Sequence, residues 1–531
     1  MALLVMVIPE FSLASKFADL ARTPPLGWNS WNAFRCNINE SVIRQNAEKM
    51  VATGMRDAGF QYVIVDDCWQ ATARDASGQL AADPVRFPSG IKALADYVHA
   101  LGLKFGIYSD AGPWTCQGLP GSDGHESEDA KTFANWGVDY LKYDRCYTLG
   151  RDVPKLYAKM AQAIVDAKRP ILFAICNWGH QEAPLWAPDV GHTWRTTWDI
   201  LNHWRSVLWI LDTSSNFGAV ARPGQWNDPD MLQVGNGRMS FQQDQSHFAL
   251  WAMMAAPLIA GNDLRSMNAQ TTQILTNKQI IDINQDRLGQ QGTRIGVVHG
   301  VEIWSKEIEG NEHQRAMLFF NRGSLAAELD LSVAHFGYKP ETAASVAVLG
   351  DIQLRDGRLV AKFEAHESKV VVLSGSIIPL DGQEHWLEDL VPSYEANGKG
   401  AVGIGESSNG NTLQMDSMEY VHGLGLHAPA KLRYRLNKQC HAVTGIVGID
   451  DEAGQSGAVQ VRVYGDSRLL WESRRLTGNG EYYHLWNDET PHSEPFELDI
   501  NGVDVLEFNV VPLDGTTHYT HTDLADVLVK C

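Results

Sequence analysis

Eight aspartates, Asp66, Asp67, Asp110, Asp144, Asp199, Asp228, Asp230 and Asp263, stand in polar clusters at the ends of short apolar runs. If those runs are parallel strands, their carboxylates meet at one mouth. Glycosidic cleavage needs two carboxylates on opposite sides of an anomeric carbon, one to protonate the leaving oxygen and one to trap the oxocarbenium-like centre. Spacing alone leaves the reacting pair open among the eight, and local context narrows it. Asp144 follows Lys142 by two residues on a β-type run, so both side chains share a face and the ammonium is expected to keep the carboxylate ionised, as a nucleophile requires. Asp199 ends Trp194-Arg195-Thr196-Thr197-Trp198-Asp199, where flanking indoles are expected to desolvate the carboxyl and raise its pKa toward that of a general acid. Any one aspartate after a strand reads first as a turn or a helix cap, and the concentration of eight is what shifts the balance. Asp228, in Asn227-Asp228-Pro229-Asp230, is read as structural, with Asp230 facing the pocket.

The elements that must position these residues repeat from residue 24 to about 264: an apolar run, a polar cluster, then a stretch of helical periodicity. The strand ends read PLGWNSW (25–31), YVIVDDCW (62–69), FGIYSDAG (105–112), VDYLKYDRC (138–146), ILFAICNWG (171–179), TWRTTWDI (193–200), QWNDPDM (225–231) and PLIAGND (257–263). Amphipathic segments lie between them, among them Ser41 to Met55, Ile91 to Leu101, Lys155 to Ala167 and Gln242 to Met254. Eight βα units predict a (β/α)8 TIM barrel over 22–292 with its site at the strand ends. A doubly wound sheet is set aside because PLGWNSW carries no GxGxxG phosphate loop. From 293 to 376 short alternating strands, such as Val301 to Lys306, Ala316 to Asn321 and Lys369 to Ser374, predict an antiparallel β-sandwich. A linker around Gly375 to Glu384 leads to a further β-rich block over 385–531, with hairpin signals at Asp356-Gly357 before it and Asn479-Gly480 within it.

Composition is that of an ordinary globular chain, 531 residues with 44% hydrophobic and 20% charged side chains. A formal net charge of -20 argues against nucleic acid as a partner and suits a neutral substrate. The 17 Trp and 15 Tyr offer faces on which sugar rings stack, although core packing accounts for most of them. Residues 1–15, with the apolar run Ala2 to Ile8, Pro9 and Ser12 to Ser15, read as a degraded or truncated secretion signal, and no other stretch is long and apolar enough to cross a membrane. Seven cysteines and the sequon Asn39-Glu40-Ser41 fit a secreted, disulfide-bearing protein. No cofactor loop is present, and the strand ends lack a His pair spaced for a metal, so neither a cofactor nor a metal is expected.

In these motifs the chain resembles glycoside hydrolase family 27, the α-galactosidases and α-N-acetylgalactosaminidases, from about Thr23 to Ser374. The resemblance implies Asp144, in Tyr140-Leu141-Lys142-Tyr143-Asp144, as nucleophile and Asp199 as acid/base. It implies Asp66 and Asp67 as ligands of the 4- and 6-hydroxyls of galactose and Lys142 as a ligand of the 3- and 4-hydroxyls. It makes Trp31 a stacking wall, puts Arg195 and Asp230 near the 2-hydroxyl, and adds Tyr108 and Cys116 to the pocket. Cys36 with Cys68 and Cys116 with Cys146 match the family's disulfides; Cys440 with Cys531 is left open. The segment Cys176-Asn177-Trp178-Gly179 occupies the family position that separates a 2-hydroxyl from a 2-acetamido group, and bulk there favours galactose. Asn177 stands where many relatives have Glu, and Trp198 where many have Gly or Ala. The last block resembles the carbohydrate-associated NPCBM module through Gly423-Leu424-Gly425-Leu426-His427-Ala428 and Val447-Gly448-Ile449-Asp450-Asp451-Glu452. Its acidic run reads as a turn rather than a calcium site.

The expectation is therefore a secreted retaining exo-glycosidase acting on terminal α-D-galactosyl residues of oligosaccharides or polysaccharides. The alternatives are a β-L-arabinopyranosidase, an α-N-acetylgalactosaminidase and, in another class, a galactose-binding lectin without turnover. Both carboxylates together with Lys142 count against the lectin. Oligomeric state is not legible.

Overall fold

The computed structural model describes residues 16–310, 313–380, 382–454, 456–478 and 492–531. The N-terminal run read as a secretion signal and the Asn479-Gly480 turn lie outside them. Eight parallel strands, β1 (Leu26–Asn29), β2 (Tyr62–Val65), β3 (Lys104–Asp110), β4 (Tyr140–Asp144), β5 (Leu172–Ile175), β6 (Thr193–Arg195), β7 (Trp226–Asp228) and β8 (Leu258–Ala260), pair in the order 7-6-5-4-3-2-1-8. A parallel bridge between Leu232 and Ala260 closes the ring, so the barrel expected from the repeat is the one that forms.

Strand alternation sorts the side chains. On β4, Leu141 and Tyr143 point outward into the core shared with the helices, while Tyr140 packs inside the barrel and Lys142 and Asp144 follow it upward at two-residue steps. On β2, Val63 and Val65 face out and Tyr62 and Ile64 in. Gly106 on β3 is required because a Cβ there would stand 2.7 Å from Ile64 and 3.2 Å from Tyr140. The outer helices begin where side chains cap them: Asn39 accepts from Val42 N ahead of Glu40–Ala52, Asp152 caps Val153–Asp166, and Ser240 and Gln243 form a capping box ahead of Phe241–Met253.

Strands β9 (Thr293–Val298), β10 (Val301–Glu307), β11 (Arg315–Asn321), β12 (Ala327–Ser332), β13 (Ala344–Leu349), β14 (Gln353–Arg355), β15 (Arg358–Phe363) and β16 (Ser368–Ser374) form a five-stranded and a three-stranded sheet. Both residues of the Asp356-Gly357 turn have positive φ, 47° and 70°, the pair of left-handed residues that a two-residue hairpin needs. One face of the larger sheet packs on the three-stranded sheet, and the other sends Trp304, Leu318 and Phe320 into the core of the barrel's helical shell. Two six-stranded sheets between Glu384 and Lys530 enclose a separate core built on residues such as Leu426, Val447, Phe508 and Val529. The Cys440–Cys531 disulfide, left open by the sequence, is formed in this last unit.

The last unit is tied to the other two by polar contacts. Tyr394 Oη donates to the carbonyls of Gly218 and Gln291, Thr293 Oγ1 donates to the Glu395 carbonyl at 2.6 Å, and Arg435 meets Glu307 on β10 at 2.8 Å. Among the described residues no helix is long and apolar enough to cross a membrane.

Candidate active site

A cavity at the C-terminal ends of the strands is lined by Trp31, Asp66, Asp67, Tyr108, Cys116, Lys142, Asp144, Trp178, Arg195, Asp199 and Asp230, with Asn32 and Met231. Eleven of the thirteen sequence-predicted site residues thus share one wall. The other two do not. Cys176 lies below, in the barrel interior beside Lys142 and Arg195, and the Asn177 side chain is buried with its amide donating to the His180 carbonyl. The physical reason is the turn after β5: Trp178 takes a left-handed φ of 58°, which swings its indole over the cavity and leaves the two preceding side chains beneath.

Five of the eight strand-end aspartates line the cavity. Asp110 is buried behind it, accepting from Gly112 N and Cys146 N. Asp228 lies beneath, accepting from Asp230 N at 2.8 Å, and Asp263 pairs with Arg265 outside the cavity.

The floor is an ordered network. Lys142 Nζ and Asn29 Nδ2 both donate to Asp66 Oδ2, at 2.8 Å and 2.7 Å, while Asp66 Oδ1 accepts from Asp67 N. Asp67 accepts from Cys68 N and Gln117 N, and burial pushes its carboxyl up to about 6. Tyr108 Oη donates toward Asp144 Oδ2 at 3.2 Å, and Arg145 N donates to Asp144 Oδ1. Arg195 spans two carboxylates, both terminal nitrogens standing 3.2 Å from Asp199 Oδ1 and one 2.9 Å from Asp230 Oδ2. Asp230 adopts φ 79° and Cys68 φ 78°, so these two residues, like Trp178, hold left-handed backbone that their bonding must sustain.

The electrostatics reverse the expectation drawn from local sequence. Burial raises the Asp144 carboxyl to about 7, with Lys142 opposing and the charge of Asp199 adding to the rise. At Asp199 burial also pushes upward, but Arg195 and Lys142 outweigh it and hold the carboxyl below its ordinary range. The reason is geometric. Trp194 points outward into the helical core and Trp198 is 54% exposed, so neither indole covers Asp199, whose side chain is itself 62% exposed. Lys142, for its part, is in contact with Asp66.

Trp198 stacks on Trp178 with centroids 5.1 Å apart and planes at 21°, His180 meets Trp198 edge-on, and the Arg145 guanidinium lies over Trp178. The Cys36–Cys68 and Cys116–Cys146 disulfides both form, the second joining the loops after β3 and β4. Among the described residues one group has ligand atoms spaced for a metal, Asp110, Cys116, Asp144 and Cys146, and there the two sulfurs are bonded to each other. Sequence reasoning missed Asn29, Asn32 and Met231. The alternation of β1 turns Asn29 inward with Gly27 and would have found it, whereas Met231 carries no chemical signal.

The description α-galactosidase A matches residues 23–286, and the NPCBM/NEW2 domain matches residues 383–530. α-Galactosidase 2 of Arabidopsis thaliana is 49% identical over 319 residues, which are 60% of this chain and 80% of that one. α-Galactosidase A of Cellvibrio japonicus is 48% identical over 370 residues, covering 68% of this chain and 90% of its own. The crystal structure of α-galactosidase I from Mortierella vinacea matches with a TM-score of 0.64 at 34% identity, covering 68% of this chain and 99% of that one. The chain belongs to the α-galactosidase A family of glycoside hydrolases.

Proposed function

We propose that this glycoside hydrolase releases terminal α-D-galactosyl residues from oligosaccharides or polysaccharides by double displacement, with Asp144 as nucleophile and Asp199 as general acid and base. The observation that carries the reading is that Asp144, at the inner end of β4, and Asp199, held by Arg195, line one cavity with the hydrogen-bonded Asp66, Asp67 and Lys142. Asp144 attacks the anomeric carbon while Asp199 gives its proton to the departing oxygen; Asp199 then takes a proton from the water that frees the sugar. Asp66, Asp67 and Lys142 bind ring hydroxyls through charge-assisted hydrogen bonds, and Arg195 with Asp230 faces the 2-hydroxyl. Trp31 supplies a stacking face and Tyr108 and Cys116 close the wall. Trp178, seated over the cavity by its left-handed backbone, supplies the bulk that excludes a 2-acetamido group, with Cys176 and Asn177 supporting it from below.

The catalytic unit is assigned to 22–292, the sandwich to 293–376 and the carbohydrate-associated module to 385–531, the module holding the enzyme near polymeric substrate. Secretion is the reading that three disulfides support. The test is turnover of the p-nitrophenyl glycosides of α-D-galactose, β-L-arabinopyranose and N-acetyl-α-D-galactosamine by the protein and its Asp144→Ala variant. Dominant galactoside turnover, lost in the variant, is expected. Preference for either other glycoside overturns the specificity, and no turnover of any favours a lectin.

A further inference from the structure

The loop that seats Trp178 over the cavity is left-handed along most of its length. Between β5 and the helix Ala183–Val190, Trp178 takes φ 58°, Gly179 74°, Gln181 53° and Glu182 51°. Gly179 is required there, since a Cβ would stand 2.2 Å from the Thr196 carbonyl oxygen. The other three carry side chains and adopt this region at an energetic cost, so the run persists only where its surroundings over-determine it. At its near end the loop is stitched to itself. His180 N donates to the Asn177 carbonyl at 3.1 Å, the Asn177 amide returns to the His180 carbonyl, and Trp186 Nε1 donates to the Gln181 carbonyl at 2.8 Å. At its far end Glu182 starts the helix, but its side chain does not cap it.

The Glu182 carboxylate is met from the C-terminal unit instead. Thr517 Oγ1 donates to Glu182 Oε2 at 3.2 Å, and His518 Nε2 stands 3.8 Å from Glu182 Oε1. These two residues lie on the loop 513–520, between the strands Val505–Pro512 and His521–Lys530, and that loop is itself held. Thr520 Oγ1 donates to the Thr517 carbonyl at 2.8 Å, Arg475 Nη1 donates to Asp514 at 2.8 Å, and the Tyr519 carbonyl packs so close to Gly457 that a Cβ there would stand 1.9 Å from it. On the cavity side Trp178 has only Trp198, itself 54% exposed, stacked on it and the Arg145 guanidinium over it.

We propose that the C-terminal unit has a second role as a buttress of the active site, in which Thr517 and His518 hold Glu182 and thereby position the loop that carries Trp178. Glu182, Thr517 and His518 are then positioning residues, four chain positions or a domain boundary away from the indole they fix. The inference rests on the reading of Trp178 as the wall against a 2-acetamido group, and it makes selectivity at the barrel mouth depend on a unit outside the barrel.

The test removes the grip from either side and reads the loop as well as turnover. Thr517→Val with His518→Ala takes away both contacts, Thr517→Ser keeps the hydroxyl, and Glu182→Ala removes their common partner. For the paired variant and for Glu182→Ala, KM for p-nitrophenyl α-D-galactoside is expected to rise about threefold with kcat within about twofold of the parent. The inhibition constant of N-acetylgalactosamine, relative to that of galactose, should fall about fivefold, the value of one hydrogen bond. Amide exchange across residues 178–182 should quicken by a similar factor. Thr517→Ser should stay within about twofold of the parent on every readout, and the paired variant combined with Glu182→Ala should lose no more than either alone, because each breaks the same contact. Unchanged exchange with an unchanged inhibition ratio, or losses that add in the combination, overturn the buttress and leave the galactosidase reading intact. Should the paired variant fail to fold, Glu182→Ala decides by the same exchange and inhibition readouts. A parent enzyme that binds N-acetylgalactosamine as tightly as galactose overturns the reading of Trp178 and the proposal with it.

Discussion

Lys142 sets its ammonium 2.8 Å from Asp66 Oδ2, although Asp144 shares its strand and its face. A single cation therefore fixes one carboxylate of the cavity by contact and eases another by charge alone. The proposed mechanism requires Asp144 and Asp199 to share a proton, so the alkaline limb of kcat/KM marks its loss and is expected near pH 7, where burial has raised Asp144. Lys142→Met removes the charge opposing that rise, and the alkaline limb is expected to move to higher pH. The same change leaves Asp66 buried without its partner, at a stability loss of about 3–5 kcal/mol. A pH–rate profile with a denaturant titration checks both, and an unmoved limb would show that Lys142 does not act on Asp144.

Asp199→Asn should invert the shape of the profile on α-D-galactosyl fluoride, a substrate that leaves without a proton. With no second carboxylate, activity needs only ionised Asp144, so the bell gives way to a single ascending limb. That limb is expected below about 7, because the charge of Asp199 raises Asp144 in the parent enzyme. Retention of a descending limb would place the shared proton elsewhere.

Asp144→Asn is expected to abolish turnover by at least about a thousandfold and yet stabilise the fold. The Asp144 carboxyl has a folded value of about 7 against an ordinary value of 3.8, so it favours folding when protonated. That contribution is complete below pH 3.8 and is lost as pH rises through about 7. Asparagine keeps it at every pH. The variant's advantage should be small near pH 4 and reach a few kcal/mol, at most about 4, by pH 8. Urea titrations of both proteins across that range decide it, and an advantage that shrinks with rising pH would refute it.

Cys116→Ser with Cys146→Ser opens a disulfide closing a 30-residue separation, and a loss of about 3 kcal/mol is expected. Cys146 N also donates to Asp110, and Cys116 lines the cavity beside Tyr108, so the galactoside KM should rise along with the fall in melting temperature. A melting change with an unaltered KM would confine the bond to stability.

The barrel was legible because each strand run is followed by a polar cluster and a helical period. The helix expected over Ser41 to Met55 forms over Glu40–Ala52, and that expected over Gln242 to Met254 forms over Phe241–Met253. The wall of the site was legible for the same reason: alternation on β4 sends Lys142 and Asp144 inward together. What stayed hidden was set by partners remote in sequence or by backbone angles. Asp66, 76 residues from Lys142, takes up its ammonium. The left-handed turn at Trp178 removes Cys176 and Asn177 from the wall, and the exposure of Trp198 leaves Asp199 to Arg195 rather than to the indoles. None of these has a signature in spacing or residue type.

The joint between the last unit and the rest bears on how such units are exchanged between genes. Tyr394 fits against Gly218, where a Cβ would come within 3.2 Å of its hydroxyl, and Arg435 answers the buried Glu307 on β10. A recombination event that spliced a different unit in at residue 383 would leave the buried Glu307 without Arg435 and with fewer cations facing it. The recipient would then need matching changes on both sides of the seam. Inheritance of this unit is in that sense coupled to its host, and compensating pairs across residues 307 and 435 are where its evolutionary history should be written.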